Sequence, residues 1–294
     1  MSSHTLDLFL ITLGAATVNG ALGYGFSSIT VPLALLFLTN RVLNPALVLI
    51  EVALNAWVLW VNRQALGGVR RRVLPIVIGL APGVIAGTLI VSHVSPDWLK
   101  LATYFILLPL ILVQAGGFRR PIQSEKSAGL AFGGALGVLY SVTTISGPPL
   151  AVALNNQGFS KHDFRAALGV IRLAESSFTA ISYGYAGLVT SASVGLIPQI
   201  LPGVAIGVPL GAFLIRHVRV ETFRRVCMSF DAWIVAFGVS TLLRTLHIID
   251  GALAYSIMAI VGSVDCYLLY RFFSSASYQT RFASERVSGA STHV

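Results

Sequence analysis

Charge is what this sequence has least of. Only 11% of its residues are Asp, Glu, Lys or Arg, against roughly a quarter in an ordinary soluble domain. Hydrophobic residues make up 55% of the chain and the mean hydropathy is +0.80. That balance excludes a water-soluble domain and points to an integral membrane protein. Acidic residues are scarcer than basic ones, 11 against 20. The basic ones sit in short loops between apolar stretches, which leaves no basic face for nucleic acid. The two cysteines, Cys227 and Cys266, both lie in apolar stretches and suggest neither a disulfide framework nor a metal site. No HExxH, GxSxG or Walker A motif occurs, so no enzyme, ATP-driven pump or cofactor is expected. The start, MSSHTLD, lacks the basic region of a cleavable signal peptide.

What the sequence does contain is a repeat. At an offset of 124, Gly79, Gly83, Gly87, His93, Val94, Asp97 and Lys100 match Gly203, Gly207, Gly211, His217, Val218, Glu221 and Arg224 without a gap. Doubled hydrophobic chains are commonly transporters with a substrate site between the copies. Six stretches read as spanning helices, three per copy: 45–61, 73–91 and 99–115, then 164–183, 194–215 and 226–243. A seventh, 251–270, belongs to neither copy. Two further apolar regions, 6–39 and 129–158, are interrupted by small residues, GALGYGFSSITVP and GALGVLYSVTTISGPP, leaving arms of about 14 to 17 residues. About 20 residues are needed to cross the hydrocarbon core.

Loop charges orient these segments. Placing the clusters at Arg63 and Arg70–Arg72, Arg119–Lys126, Lys161–Arg165 and Arg216–Arg225 in the cytoplasm, with Arg271, Arg281 and Arg286 of the tail, puts 16 of 20 basic residues inside. Arg41, Lys100 and Arg244 then lie outside and Arg172 in the membrane. Region 129–158 begins and ends on the cytoplasmic side, so it is either a re-entrant hairpin or two full spans; the short arms favour the hairpin. Each copy becomes a hairpin plus three crossings, an odd number, and the copies are inverted. The fold expected is an all-α membrane protein of two inverted repeats, residues 1–118 and 119–245. An extra helix over 246–271 and a disordered cytoplasmic tail over 272–294 complete the chain, with the N-terminus periplasmic.

Polar residues concentrate at the two breaks. Gly23, Gly25, Ser27, Ser28 and Thr30 precede Pro32; Ser141, Thr143, Thr144, Ser146 and Gly147 precede Pro148 and Pro149. Two readings stand: small residues that let helices pack closely, or a cradle of free N–H groups and hydroxyls that binds an anion at a helix N-terminus. Recurrence of the break in both copies favours the second. The glycine ladders 79/83/87 and 203/207/211 read as packing, and Pro75, Pro82, Pro198, Pro202 and Pro209 on the same helices suggest kinks.

Ionisable groups at membrane depth need a reason. Glu51 and Asn55 lie one turn apart, as do Arg172 and Glu175 in the counterpart helix, with Asn55 aligned to Glu175. Either Arg172 and Glu175 pair internally with Glu51 paired elsewhere, or Arg172 attracts an anion while Glu51 or Glu175 couples transport to protons. Asp231 and Asp265 lie nearer the cytoplasmic ends of their helices, and His93 and His217 at helix ends without the second ligand a metal needs.

The stretches GALGYGFSSITVPLAL and SGPPLAVALNNQGFSKHDFRAALG, followed by the glycine-laddered helices, resemble the sulfite exporter TauE/SafE family of bacterial membrane transporters. The resemblance covers residues 6–243 and implies export of a sulfur-containing anion, sulfite or an organosulfonate, across the inner membrane, with Ser27, Ser28, Ser146 and Gly147 as candidate contacts. In the first copy Tyr24 and Phe26 interrupt the family's usual run of glycines. The expected function is alternating-access transport of a small anion, with Glu51 or Glu175 as candidates for coupling it to protons; a passive anion channel, or an importer of another oxyanion or carboxylate, is the alternative.

Overall fold

The computed structural model describes residues 3–61, 63–115, 125–156, 161–214, 220–249 and 251–274. The described residues form helices joined by short links, with no strand among them. The first copy contributes α1 (Ser3–Leu22), α2 (Phe26–Ala34), α3 (Asn40–Val61), α4 (Leu66–His93) and α5 (Pro96–Ala115). Their counterparts are α6 (Glu125–Thr143), α7 (Gly147–Asn156), α8 (Lys161–Tyr185), α9 (Ser191–Leu214) and α10 (Val220–Thr245). A short 3-10 turn leads into α11 (Ser256–Ser274), which packs on α10. Of the expected tail only 272–274 is described; the rest of it, His217 and the side chain of Asp231 lie outside the described residues.

Among the described residues, five segments are long and apolar enough to cross a membrane: Thr5–Leu22, Asn40–Trp60, Leu66–His93, Ser191–Leu214 and Gly251–Ser274. The inclusion of Thr5–Leu22 alters the sequence reading of short arms on both sides of each break. The broken regions are unequal, with 20 and 9 residues in α1 and α2 and 19 and 10 in α6 and α7. The break falls late because the turn-forming Gly23 and Gly25 stand close to α2, after a long uninterrupted apolar run. Conversely α8, with Arg172 and Glu175 in its middle, is not among the five.

Packing between the copies is reciprocal. The most extensive contacts are α4 on α6 and α1 on α9, so each copy's glycine-laddered helix receives the first helix of the other copy. The same exchange relates α4 on α8 to α3 on α9, and α10 on α2 to α5 on α7, while α3 meets α8 and α5 meets α10. Contacts that recur with the roles exchanged are the signature of isologous pairing.

The ladders explain the closeness. A Cβ at Gly79 or Gly83 would strike the backbone of Leu130 or Gly134 on α6, and one at Gly203, Gly207 or Gly211 would strike α1 between Phe9 and Ala21. Lipid supplies no hydrophobic drive between helices, so van der Waals contact of bare backbones holds them together. Arg41, at the start of α3, donates to the carbonyls of Val91, Ser92 and Val94 at 3.1, 2.8 and 3.0 Å, capping the end of α4 where carbonyls lack helical partners.

Structure also sets the register of the copies. The starts of the second and third helix pairs, 26 and 40, correspond to 147 and 161, and the end of the first, 22, to 143: an offset of 121 that becomes 124 for α5 and α10. The difference is taken up in α8, 25 residues long against 22 for α3. Counted from their first residues, buried positions 45–48, 50, 51, 54 and 55 of α3 fall on 166–169, 171, 172, 175 and 176 of α8, all buried as well. Glu51 is therefore the counterpart of Arg172, Leu54 of Glu175 and Asn55 of Ser176. The expected match of Asn55 with Glu175 shifts by one residue.

Candidate functional site

The two breaks are built differently. In the first, Gly23 and Gly25 take φ of 82° and 105°, values open to glycine at little cost. Gly23 N–H closes α1 onto the Asn19 carbonyl at 2.7 Å. In the second, Thr144 holds φ of 56° without being glycine. Its neighbour stabilises the bend: the Thr143 hydroxyl donates to the Leu139 carbonyl at 2.7 Å and accepts from Ile145 N–H at 3.0 Å. Freed carbonyls at the end of α6 are also satisfied, Val142 by the Asn44 amide at 2.8 Å and Ser141 by the Tyr183 hydroxyl.

The helix starts beyond the breaks are unequal too. The first turn of α2 offers the N–H groups of Phe26, Ser27 and Ser28, which have no intrahelical acceptor, and no side chain caps it. In α7 Pro148 and Pro149 occupy the second and third positions and have no N–H to offer. Of the two helix starts, α2 therefore presents the larger number of unpaired backbone N–H groups. The breaks approach each other through Tyr24, whose ring would lie 3.3 Å from a Cβ on Gly147.

Between them runs a buried polar chain that joins both copies. Glu51 Oε1 accepts from Ser27 Oγ at 2.6 Å and from Arg172 Nη2 at 3.1 Å, and Glu51 Oε2 accepts from the Tyr140 hydroxyl at 2.6 Å. Arg172 Nε lies 4.0 Å from Glu175 Oε1, which also accepts from Ser146 Oγ. Arg172 Nη1 donates to Asn19 Oδ1 at 3.4 Å, and Asn55 Nδ2 donates to the Arg172 carbonyl at 3.2 Å and to Ser176 Oγ at 3.4 Å. Every residue named is buried, Glu51 and Glu175 completely. Two carboxyl groups thus share one guanidinium in a region closed to solvent, where an ion that lacks a partner is costly.

Of the residues singled out from sequence, Ser27, Glu51, Asn55, Ser146, Arg172 and Glu175 come together. The internal Arg172–Glu175 pair proves the longer of two; the nearer carboxylate is Glu51, from the other copy. Others serve the backbone: Ser141 donates to the Gly137 carbonyl at 2.8 Å and Thr144 to that of Thr143 at 2.7 Å. Ser28 and Thr30 are buried beside the site, and the Thr30 hydroxyl has no hydrogen-bond partner.

Sequence reading missed Asn19, Tyr140 and Ser176. Asn19 and Tyr140 are counterparts at the offset of 121, a register the glycine ladders do not reveal. Apart from this centre, Asp265 is fully buried and accepts from Arg225 at 3.0 Å, Ser229 at 3.1 Å and Trp233 at 3.3 Å, fastening α11 to α10.

No curated protein and no solved structure matches the chain. A family model described as sulfite exporter TauE/SafE matches residues 8–240. That family is one of membrane transporters and not of enzymes. The match runs from α1 into α10 and takes in both breaks and the whole polar centre: the chain belongs to the sulfite exporter TauE/SafE family.

Proposed function

We propose that the protein is a secondary transporter that exports a small sulfur-containing anion, sulfite or an organosulfonate, across the bacterial inner membrane by alternating access. The observation that carries this reading is the occluded polar centre at the seam of the two copies. There a carboxylate, that of Glu51, already sits among three donors from three elements: Ser27, Tyr140 and Arg172. Donors arranged for a carboxylate suit another small oxyanion. When the copies part, Arg172, the Ser27 hydroxyl and the free N–H groups of α2 are available to a substrate, with charge-assisted bonds to hold it. Gly23, Gly25, Ser28 and Thr30 shape that cradle; Ser146 and Gly147 line the opposing break, with Ser141, Thr143 and Thr144 supporting it.

Loop charges support the inverted arrangement, with the α3–α4 link and the C-terminus cytoplasmic and the N-terminus periplasmic. Repeats 1–118 and 119–245 then rock against each other about α3 and α8. Burial of the whole centre favours this over a passive channel, which needs a continuous wet path. Reconstitution into proteoliposomes tests it: saturable, gradient-driven flux of sulfite or a sulfonate is expected. Absence of flux for every anion tried, or flux that never saturates, overturns the carrier reading. An outward gradient that is not used while an inward one is would make the protein an importer.

A further inference from the structure

The polar centre holds one acid more than it can neutralise, and the surplus falls on one residue. Glu51 and Arg172 are counterparts in the two copies and neutralise each other across the seam, at 3.1 Å. Both Glu51 oxygens accept hydrogen bonds, from Ser27 and Arg172 on one and Tyr140 on the other. Glu175 breaks the symmetry, because its counterpart is Leu54. Its Oε1 accepts from Ser146, but its Oε2 is buried with no hydrogen-bond partner. The nearest guanidinium nitrogen, Arg172 Nε, is 4.0 Å away and itself lacks a hydrogen bond.

Among the described residues, nothing else in the surroundings offers a charge. The elements packed on α8 present Glu51 from α3 and Tyr140 from α6. The charges of α4, which are Arg70, Arg71, Arg72 and His93, stand at its two ends, α7 contains no ionisable residue, and Arg63 in the link before α4 is exposed. The other charged or titratable groups in the first two turns of α8 are Lys161, His162, Asp163 and Arg165.

We propose that Glu175 is the proton-binding residue of this centre, protonated whenever the copies are closed, and that its ionisation draws Arg172 away from Glu51. A neutral carboxyl leaves at most one unsatisfied polar atom, which costs far less than an unpaired buried carboxylate. When the break before α7 opens to water, the proton on Glu175 passes to solvent on that side. The carboxylate then takes Arg172, its i,i+3 neighbour on the same helix, and the bond that joins α3 to α8 across the seam is released. Closing the empty carrier requires a proton to be taken up again. The inference depends on the transport reading for its role in a cycle, but the protonation itself does not.

Infrared spectroscopy of the purified, full-length protein separates the two. The carbonyl stretch of a protonated carboxylic acid is expected at neutral pH in the wild type, lost in Glu175→Gln and retained in Glu51→Gln. A wild type without the band, a band that persists in Glu175→Gln, or one lost only in Glu51→Gln overturns the assignment. In proteoliposomes loaded with sulfite, net flux through the wild type is expected to vary with pH and flux through Glu175→Gln to lose that dependence. An unchanged pH profile in Glu175→Gln, or a strict requirement for sodium, also overturns it. The band without any anion flux supports the proton site and overturns only the transport reading.

Discussion

Arg172 is the residue on which stability and function meet. Its guanidinium is nearly buried and its partner Glu51 comes from the other copy. Arg172→Met leaves Glu51 without its cation and is expected to cost about 3–5 kcal/mol, measured by unfolding in detergent. Glu51→Gln combined with Arg172→Met removes both charges, keeps an acceptor oxygen for one of the Ser27 and Tyr140 hydroxyls, and gives the other an amide N–H to accept. That double variant is expected to regain most of the stability yet show no anion flux; recovery of flux would show that Arg172 does not hold substrate. Ser27→Ala removes one donor from the α2 cradle. A charge-assisted hydrogen bond contributes about 1.5–3 kcal/mol, so the half-saturating sulfite concentration is expected to rise roughly 10- to 100-fold. An unchanged value takes Ser27 out of the site.

Individual elements divide into those that pack and those that break. The ladder helices α4 and α9 succeed because glycine lets backbones touch, and the cost of a side chain follows from the neighbours. Gly83→Leu drives a side chain into the α6 backbone at Gly134 and is expected to destabilise by at least the roughly 1–3 kcal/mol of an overpacked core. Gly14→Ala, on α1 with open space around it, is expected to leave stability unchanged or slightly raised. Equal melting temperatures for the two variants would mean that the ladders are not the seam. Most of this was legible in the sequence, because a four-residue glycine spacing marks a helix face without any knowledge of its partner. Arm lengths were less legible: α1 and α2 share one apolar run, and only the backbone conformation at Gly23 and Gly25 decides where it divides.

At the scale of the molecule the test is topological. The α3–α4 link and its counterpart between α8 and α9 should lie on opposite faces of the membrane. With Cys227 and Cys266 replaced by serine, Gln64→Cys is expected to react with impermeant thiol reagents only from the cytoplasm and Ala186→Cys only from the periplasm; both residues are exposed. Labelling of both from one side would make the repeat parallel and remove the inverted mechanism. A second test concerns α11, which the family match leaves out. Asp265→Ala leaves Arg225 buried without its anion, and α11 is expected to become the first segment cut in limited proteolysis.

By itself the sequence determined the class of the molecule, its helices, its two breaks and its packing faces. These follow from local physics: scarcity of charge sets the solvent, glycine and proline set where a helix stops, and residue spacing sets which face is smooth. Tertiary structure alone decided which copy each ladder grips, the offset of 121 that makes Glu51 the counterpart of Arg172, and the recruitment of Asn19, Tyr140 and Ser176. Those outcomes depend on contacts between residues far apart in the chain, and a difference of three residues in the length of one helix separates the register of the polar centre from that of the glycine ladders.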